Sequence, residues 1–354
     1  MISNREKSLL ARAGVTKKEL LTIGHYARAT MFGDKASIKF LIDAGISPRQ
    51  EKASATLGDT VGGFLVPSQI EPHIISLRDN FGILRQYASI LQMGSDERSW
   101  PRRVAGVTAN FVQAENGAIP ESQLSFDEIR LITKKAAASI RLSNELYEDE
   151  TVALGAWFIL EISAAFARKE DDCGFVGDGT SAYGGIRGIC NLLVDGGHNA
   201  GKAGATAGNS SLDKISTTDL SSMMGLLPSF AWPNARWYTS GPGVGLCLAR
   251  LAAVAGGNIG VAPDGLAFMG FPVSIVPSMP GSGSQVGKIV IAFGDLSLAV
   301  ALGSRSGVTV RNSSDRYLDR DQTIVRGTER FDVVCANLGD NTNPGAVVGI
   351  TATA

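Results

Sequence analysis

Gly62-Gly63-Phe64-Leu65-Val66-Pro67 opens a series of four short patterns that follow one another in a fixed order. The other three are Glu115-Asn116-Gly117-Ala118-Ile119-Pro120-Glu121-Ser122, then Ile140-Arg141-Leu142-Ser143-Asn144-Glu145-Leu146, and last Gly177-Asp178-Gly179-Thr180 with Gly184-Gly185-Ile186-Arg187-Gly188. Each pattern alone carries little information, because glycine and proline mark turns in many folds. The order and spacing of the four together distinguish this chain.

The residues around the second and third patterns predict strands. Ala109–Ala114 and Ile129–Thr133 alternate well enough between apolar and polar side chains to predict half-buried strands. Ala136–Leu142 predicts a further strand, with its even-numbered residues on one face. We therefore expect a two-stranded excursion over residues 95–142 that leaves the body of the protein and returns. Because a lone hairpin is only marginally stable in water, this excursion favours a partner subunit to lie on.

A long helix is predicted from about Asp149 to Asp172, ending at Gly174. Its apolar stripe has the spacing of one helix face, with Phe158, Ile162, Ala165 and Phe166. Such a helix is ~35 Å long, enough to form the spine of a domain. The acidic run at residues 170–172 predicts a solvated helix end; contact with a basic surface or a cation is the alternative.

The two ends of the chain differ in character. Residues 1–52 are rich in Lys and Arg and predict a small helical unit, with helices at about 17–31 and 35–42, before a linker at 53–61. Residues 68–87 predict one or two helices broken near Gly82. Beyond residue 216 we predict helices at 218–230 and 243–255, strands at 235–239, 273–276, 288–293, 296–302, 308–311 and 324–336, a polar insertion at 312–322, and a last edge strand within 344–354.

The composition is that of a folded protein. Of 354 residues, 44% are hydrophobic and 19% are charged, which is enough for a sizeable core. A formal net charge of -1 argues against a dedicated nucleic-acid binder. No apolar run is long enough to cross a bilayer, and residues 1–7 lack a secretion signal, so we expect synthesis in the cytoplasm. The four cysteines are widely separated, which predicts reduced, mostly buried thiols.

We find no pattern for catalysis, a cofactor or a metal ion. Gly241-Pro242-Gly243-Val244-Gly245 opens a predicted helix, but it lacks the Gly-Lys-Ser/Thr end that reaches phosphates in a P-loop. We interpret it as a tight strand-to-helix turn. The three histidines share no metal-ligand spacing with one another or with a cysteine. Asp178 and Thr180 lie between glycines and predict an Asx-type turn.

In their order and spacing, the four patterns resemble the major capsid proteins of tailed bacteriophages, which share the Hong Kong 97-type fold. The resemblance covers about residues 62–336 and includes Phe293-Gly294-Asp295 and Gly307-Val308-Thr309-Val310-Arg311. The fold that it implies is α+β, with a long spine helix, an extended β-hairpin loop, and peripheral and axial domains. Its parts would be a helical, scaffold-like N-terminal segment (1–52), a linker and N-arm (53–94), the extended loop (95–142), a peripheral domain with the spine helix (143–215 and 321–354) and an axial domain (216–320).

The resemblance implies a subunit that self-assembles as pentamers and hexamers into an icosahedral head. The partners that it implies are copies of the chain itself, double-stranded DNA held without sequence specificity, and scaffold, portal and decoration proteins, with no membrane. Assembly would take place in the host cytoplasm and the product would lie in the virion. The candidate residues for inter-subunit contacts along the loop are Trp100, Arg102, Arg103, Glu115, Glu121, Asp127 and Glu128. Their charges would set the register between neighbours.

Two other functions compete with the capsid interpretation. One is an encapsulin-type shell around enzymes, which the long excursion and the N-terminal segment disfavour. The other is a soluble nucleotide-binding enzyme using the turn at 241–245, for which the sequence offers no convergent polar site. Some relatives join their subunits through an isopeptide bond from a loop lysine. No lysine occurs between Lys52 and Lys134, so we predict no such cross-link.

Overall fold

The computed structural model describes residues 35–44, 82–105, 125–143, 153–254, 260–262, 265–282 and 285–354, together with positions 21, 22, 24–26, 29 and 46. The predicted helix at 35–42 is confirmed, and the described positions of the helix at 17–31 are helical. Several predicted features lie outside the described residues: the linker at 53–61, the first and second sequence patterns, the helix at 68–81, the strand at 109–114 and the first residues of the spine helix.

The described residues form strands and helices in the following order. The strands are β1 (Ser89–Gln92), β2 (Glu97–Ala105), β3 (Ser125–Ile132), β4 (Lys134–Ser143), β5 (Lys202–Gly204), β6 (Arg236–Thr239), β7 (Gly260–Ala262), β8 (Gly265–Phe268), β9 (Phe271–Ile275), β10 (Ile289–Gly294), β11 (Val300–Tyr317), β12 (Gln322–Cys335) and β13 (Val347–Thr351). The helices are α1 (Lys35–Asp43), α2 (Ile83–Tyr87), α3 (Ala153–Val176), α4 (Ile189–Leu192), α5 (Thr217–Leu226), α6 (Arg250–Val254), which continues a π-helical segment at Gly243–Ala249, and α7 (Leu296–Ala299).

A four-stranded sheet and the long helix α3 form one layered unit. The strand order is β1-β11-β12-β4, and the central pair β11 and β12 is antiparallel. Helix α3 packs closely on β12, because a Cβ at Gly327 would lie 2.7 Å from Ile162 Cγ2 and 3.0 Å from Phe166. The predicted polar insertion at 312–322 is wrong in part. Strand β11 continues through it to Tyr317 and turns at residues 318–320, since a partner strand satisfies its backbone.

Helix α3 does not end at Gly174, as the sequence predicted, but continues to Val176. At Gly174 an added Cβ would lie 2.7 Å from Leu84 Cδ2. Leu84 belongs to α2 and is fully buried. Gly174 therefore allows α2 and α3 to approach closely. It is not a C-terminal cap, because a capping glycine follows the last helical residue.

The acidic run at the end of α3 is buried, so the predicted solvated end is wrong. Glu170 accepts from Arg85 Nε and Nη2 at 2.6 Å each, and Arg85 Nη2 also lies 3.1 Å from Glu329 Oε1 on β12. Asp171 accepts the backbone N–H groups of Ile83 and Leu84 at the start of α2. These bonds join α2, α3 and β12 into one unit.

The fourth sequence pattern forms a hairpin-like turn after α3. Thr180 N–H donates to Asp178 Oδ1 at 2.8 Å, which confirms the Asx-type turn. Gly184 and Gly185 have φ of 63° and 78°, a region that favours glycine. Gly188 N–H donates to Gly177 at 2.8 Å, so the loop closes on itself. The pattern thus fixes how the chain leaves the long helix.

The second large sheet has seven strands in the order β5-β13-β10-β6-β9-β8-β7. Strand β10 is buried at every residue, and an aromatic cluster around Phe293 and Trp237 fills the core beside it, with ring centroids 4.6 Å apart. The predicted edge strand near the C-terminus is wrong in position. Strand β13 lies inside the sheet between β5 and β10 and is buried throughout, because its small and branched apolar residues suit a covered strand.

Two predicted elements around this sheet have different bounds in the structure. The predicted strand at 296–302 begins with the helical turn α7, because the Asp295 side chain accepts Ser297 N–H at 2.8 Å and caps it. Regular strand resumes at Val300. Helix α5 stops at Leu226, before the predicted 230, because Leu227 precedes Pro228 and is extended. The helix predicted at 243–255 is confirmed through Val254, and residue 255 lies outside the described part.

Strand pairing crosses the chain ranges of the predicted domains, whose boundaries stay a prediction. Strands β5 and β13, which the sequence assigned to the peripheral domain, pair into the sheet that also holds β6 and β10. Strand β11, which was assigned to the axial domain, pairs with β12. The first pairing joins strands that are distant in the chain, which local patterns do not show, and the second is a hairpin that crosses the predicted boundary at residue 320.

Candidate subunit interface

Strands β2 and β3 form a separate antiparallel ribbon, with Trp100 opposite Ile129 and Arg102 opposite Asp127. This is the described part of the predicted excursion. The ribbon ends at Thr133, earlier than the predicted 142, because β4 pairs instead with β12. Directly opposite residues of an antiparallel pair share a face, so the register assigns every side chain of the ribbon to one of two faces.

The inner face of the ribbon lies on the protein's own body. Leu131 is fully buried, and a Cβ at Gly303 of β11 would lie 3.0 Å from Leu131 Cδ1. Ile129 on the same face is buried, and Trp100 is half-buried. Further out, Arg102 Nη1 donates to the Ala336 carbonyl at 2.8 Å. This face therefore supports the ribbon from within one subunit.

The outer face of the ribbon is exposed and partly apolar. It comprises Glu97, Ser99, Pro101, Phe126, Glu128, Arg130 and Ile132. Phe126 is 61% exposed and Ile132 is 49% exposed. Glu128 accepts from Arg130 Nη2 at 2.7 Å, and this hydrogen bond holds the pKa of the Glu128 carboxyl below its usual range. The face thus combines two large apolar side chains with an internally neutralised pair of charges.

Two carboxylates anchor the base of the ribbon to the four-stranded sheet. Asp96 forms ion pairs with Arg305 and, at 3.0 Å, with Arg330, and the hydrogen bond from Arg305 lowers the pKa of Asp96. Asp332 accepts Ile132 N–H at 2.8 Å and lies 3.4 Å from Lys134 Nζ. Burial raises the pKa of Asp332. These contacts fix the direction in which the ribbon leaves the sheet.

The described residues hold no group of three or more His, Cys, Asp or Glu side chains that is suited to a metal ion. The turn at 241–245 is a tight strand-to-helix turn, as predicted, and a Cβ at Gly243 would collide with the side chain of Thr239. All four cysteines are free; three are buried and Cys335 is half-buried. Burial raises the pKa of Cys173 to about 11. Among the described helices, none is long and apolar enough to cross a membrane.

Comparison with known proteins decides what kind of subunit this is. The model of the phage capsid family matches residues 62–337. The chain belongs to the phage capsid family. It is therefore a structural protein of a phage or phage-like particle. The major capsid protein of Klebsiella oxytoca phage phiKO2 is 28% identical over 120 residues, which are 34% of this chain and 28% of that protein.

Solved capsid structures have the same fold. The capsid of an empty GTA particle computed with C5 symmetry gives a TM-score of 0.62 at 18% identity, covering 91% of this chain and 98% of that one. A chain from Mycobacterium phage Bobi gives a TM-score of 0.57 at 17% identity, covering 90% and 98%. The predicted α+β fold of the Hong Kong 97 type is confirmed.

The seven predicted contact residues of this capsid protein fall into different places. Trp100, Arg102 and Asp127 lie on the inner face, and Arg102 pairs with Asp127 at 2.8 Å within the ribbon. Glu128 lies on the outer face. In the strand register, Arg103 is paired with Phe126 of the outer face. Glu115 and Glu121 lie outside the described residues.

Sequence reasoning missed Phe126 and Ile132, the largest apolar side chains of the outer face. The strand register finds them. Phe126 and Ile132 have even numbers and lie on one face of β3, whereas Ile129 and Leu131 have odd numbers and lie on the other. The segment 125–132 mixes apolar residues of both parities, so its periodicity alone does not say which of them face the body.

Proposed function

We propose that this chain self-assembles as pentamers and hexamers into a closed icosahedral shell around double-stranded DNA. The observation that supports this most directly is the outer face of the ribbon in a member of the phage capsid family. Phe126 and Ile132 are exposed there on a two-stranded ribbon whose other face already lies on its own subunit. A neighbouring copy that covers this face would bury both side chains.

The energetics of such a contact suit a shell. Fully burying a side chain of this size stabilises a contact by roughly 1.5–3 kcal/mol. Association costs several kcal/mol or more in lost freedom, so one ribbon contact alone gives weak binding. A closed shell repeats the contact around every ring, and each subunit then both donates and receives a ribbon. Cooperative assembly of many weak contacts follows.

The partners in the proposal come from the membership of the chain in the phage capsid family. A formal net charge of -1 argues against base-specific recognition by a dedicated nucleic-acid binder, so the proposed DNA is enclosed cargo held without sequence specificity. Scaffold, portal and decoration proteins are the further proposed partners, with assembly in the host cytoplasm and the finished shell in the virion. In the proposed division of the subunit, α3 with the four-stranded sheet is the peripheral part and the sheet around β10 is the axial part.

The test is assembly of the full chain expressed alone. Sedimentation and negative-stain electron microscopy should show closed shells or rings of five and six subunits. A monodisperse monomer across all salt and protein concentrations would overturn the proposal. Thermal protection of that monomer by a nucleotide would then favour the soluble-enzyme alternative.

A further inference from the structure

A cleft of about 520 Å³, which we call the α2 cleft, lies where α2 meets the seven-stranded sheet. Its walls are the end of α2 at residues 86–87, the start of β6 at 233–236, the turn between β8 and β9 at 270–272, and Asp295 with Ser297 at the cap of α7. Sites for small ligands have volumes of roughly 300–1,000 Å³ and occur where structural units meet. The α2 cleft has the size and the position of such a site.

A nearly buried carboxylate lines this cleft. Asp295 is only 4% exposed, and its Oδ1 accepts the N–H and the hydroxyl of Ser297 at 2.8 and 2.6 Å. Within the described residues, no donor reaches the other oxygen, Oδ2. A carboxylate oxygen that is removed from water without a donor is costly. Asp295 Oδ2 is therefore suited to a donor that comes from outside the chain.

A cation lies beside this carboxylate without neutralising it. Arg236 of β6 is directly opposite Gly294 in the strand register, and Gly294 precedes Asp295. Directly opposite residues of an antiparallel pair have Cα atoms ~5 Å apart. The Arg236 guanidinium nevertheless lies over the ring of Tyr87, 4.1 Å from its centroid. No ion pair joins Arg236 to Asp295 in the described part of the chain, so the cleft presents two neighbouring, opposite charges that do not pair with each other.

The rest of the wall is largely aromatic and apolar. It includes Tyr238, Phe271 and Pro272. Burial raises the pKa of Tyr238, while the charge of Arg236 lowers this pKa and the charge of Asp295 raises it. Both charges therefore act on the same ring, and a ligand that reaches both charges lies beside that ring.

The two charges decide which class of ligand fits. An anion alone would be repelled by the carboxylate of Asp295, and a cation alone would be repelled by the guanidinium of Arg236. A small zwitterion with neighbouring ammonium and carboxylate groups satisfies both, because its ammonium donates to the carboxylate and its carboxylate accepts from the guanidinium. The aromatic wall favours a ring in the remainder of the ligand.

We propose that the α2 cleft binds a free α-amino acid with an aromatic side chain. The ammonium group donates to Asp295 Oδ2, the carboxylate accepts from Arg236, and the ring packs against the apolar wall. An amino acid bound in this way joins α2 to the seven-stranded sheet and stabilises the folded subunit. The site is separate from the ribbon, and binding does not depend on shell assembly.

Equilibrium dialysis of the full chain against labelled phenylalanine tests the proposal. Two analogues separate the charges, since 2-phenylethylamine lacks the carboxylate and 3-phenylpropionate lacks the ammonium group. Asp295→Asn removes the negative charge but keeps an Oδ1 that caps α7, and Arg236→Gln removes the positive charge. Asp340→Asn is the matched control, because the Asp340 carboxylate also accepts backbone N–H groups and lies outside the cleft.

A further variant keeps both charges and blocks the cleft. Asn234 lines the cleft and is exposed, so Asn234→Trp places a large ring at its open side without changing the buried core. Urea unfolding of each variant shows whether it is folded. If Asp295→Asn does not fold, Asn234→Trp decides the location of the site.

We expect saturable binding of phenylalanine by the parent and by Asp340→Asn. Both analogues should bind the parent at least ~10-fold more weakly than phenylalanine, because each loses one charged contact. Phenylalanine should bind Asp295→Asn, Arg236→Gln and Asn234→Trp at least ~10-fold more weakly than the parent. It should also raise the urea midpoint of the parent and leave that of Asn234→Trp unchanged.

Three results would overturn the inference. The first is the absence of saturable phenylalanine binding by the folded parent. The second is equal binding of phenylalanine and either analogue, which would mean that the pair of charges is not recognised. The third is unchanged binding by a folded Asp295→Asn or by Asn234→Trp, which would place the amino acid elsewhere on the subunit.

Discussion

Arg85 is the residue at which α2, α3 and β12 meet. Its guanidinium is buried between Glu170 and Glu329. Removing one partner of a buried charge cluster leaves uncompensated charge, which typically costs roughly 3–5 kcal/mol. We predict that Arg85→Ala lowers the free energy of unfolding by about this amount in urea denaturation.

The matched control for Arg85 is Arg168→Ala, an exposed arginine of α3 that lies 3.9 Å from Glu161. Exposed pairs contribute roughly 0–1 kcal/mol, so this variant should unfold close to the parent. Equal effects of the two variants would contradict the assignment of Arg85 to a buried cluster.

Asp171 gives the subunit a pH dependence of definite sign. Burial raises the pKa of its carboxyl to about 7, although the N–H groups of Leu84 and Ile83 bond to it. The folded state therefore binds the proton more tightly than the unfolded state, whose Asp pKa is ~3.9. The contribution of Asp171 to the free energy of unfolding is therefore complete below about pH 4. It decreases as the pH rises toward 7, by at most ~1.4 kcal/mol per pH unit.

The variant Asp171→Asn isolates this effect. Between pH 4 and about pH 7, unfolding of the parent should become easier as pH rises, and the difference between parent and variant should follow the same slope. Urea unfolding at several pH values measures it. A difference that does not vary over this range would mean that the carboxyl is already ionised in the folded subunit.

At the residue scale, the sequence predicted local turns correctly and failed for contacts between residues that are distant in the chain. The Asx-type turn at Asp178 was predictable because its partner, Thr180, is two residues away. Gly174 and the acidic run were misread because their partners, Leu84 and Arg85, are almost ninety residues distant in the chain. The same pattern of residues gives a solvated end or a buried joint, depending on what packs there.

At the scale of elements, the two faces of the ribbon should respond differently to mutation. Phe126→Ala changes the exposed outer face and should reduce assembly while leaving monomer unfolding unchanged within ~0.5 kcal/mol. Ile129→Ala changes the buried inner face and should lower monomer stability by roughly 2–5 kcal/mol. Sedimentation reports the first effect and urea denaturation the second. Phe126→Ala shells that form as readily as the parent's would contradict an interface on the outer face.

Element types were largely predictable, whereas the pairing of strands was not. The strands at 235–239, 273–276, 288–293 and 324–336 and the long helix follow from apolar periodicity, which is local. Strand β13 was taken for an edge strand because nothing in its own residues shows that β5 pairs on its far side. Polar residues 312–317 continue a strand because β12 supplies their partners.

At the scale of the whole molecule, the shell should hold together without covalent links from the loop. The sequence has no lysine between Lys52 and Lys134, so the tip of the loop has no amine for an isopeptide bond. We predict that assembled subunits run as single chains on a denaturing gel. Ladders at multiples of 37.1 kDa would contradict this.

The fold class and the family followed from the ordered patterns, of which the fourth forms a turn that fixes how the chain leaves α3. The domain boundaries and the interface residues stay predictions, because they depend on sheet pairing and strand register, which local patterns do not show. In the ribbon a shift of one residue would exchange the inner and outer faces, and with them the apolar residues that a neighbour can bury.

A cryo-electron microscopy map of the particles that the full chain forms tests most directly whether the ribbon joins neighbouring subunits in a shell. We predict closed shells in which the outer face of each ribbon, including Phe126 and Ile132, lies against a neighbouring subunit. Particles in which that face remains open to solvent, or a chain that forms no particles at all, would contradict it.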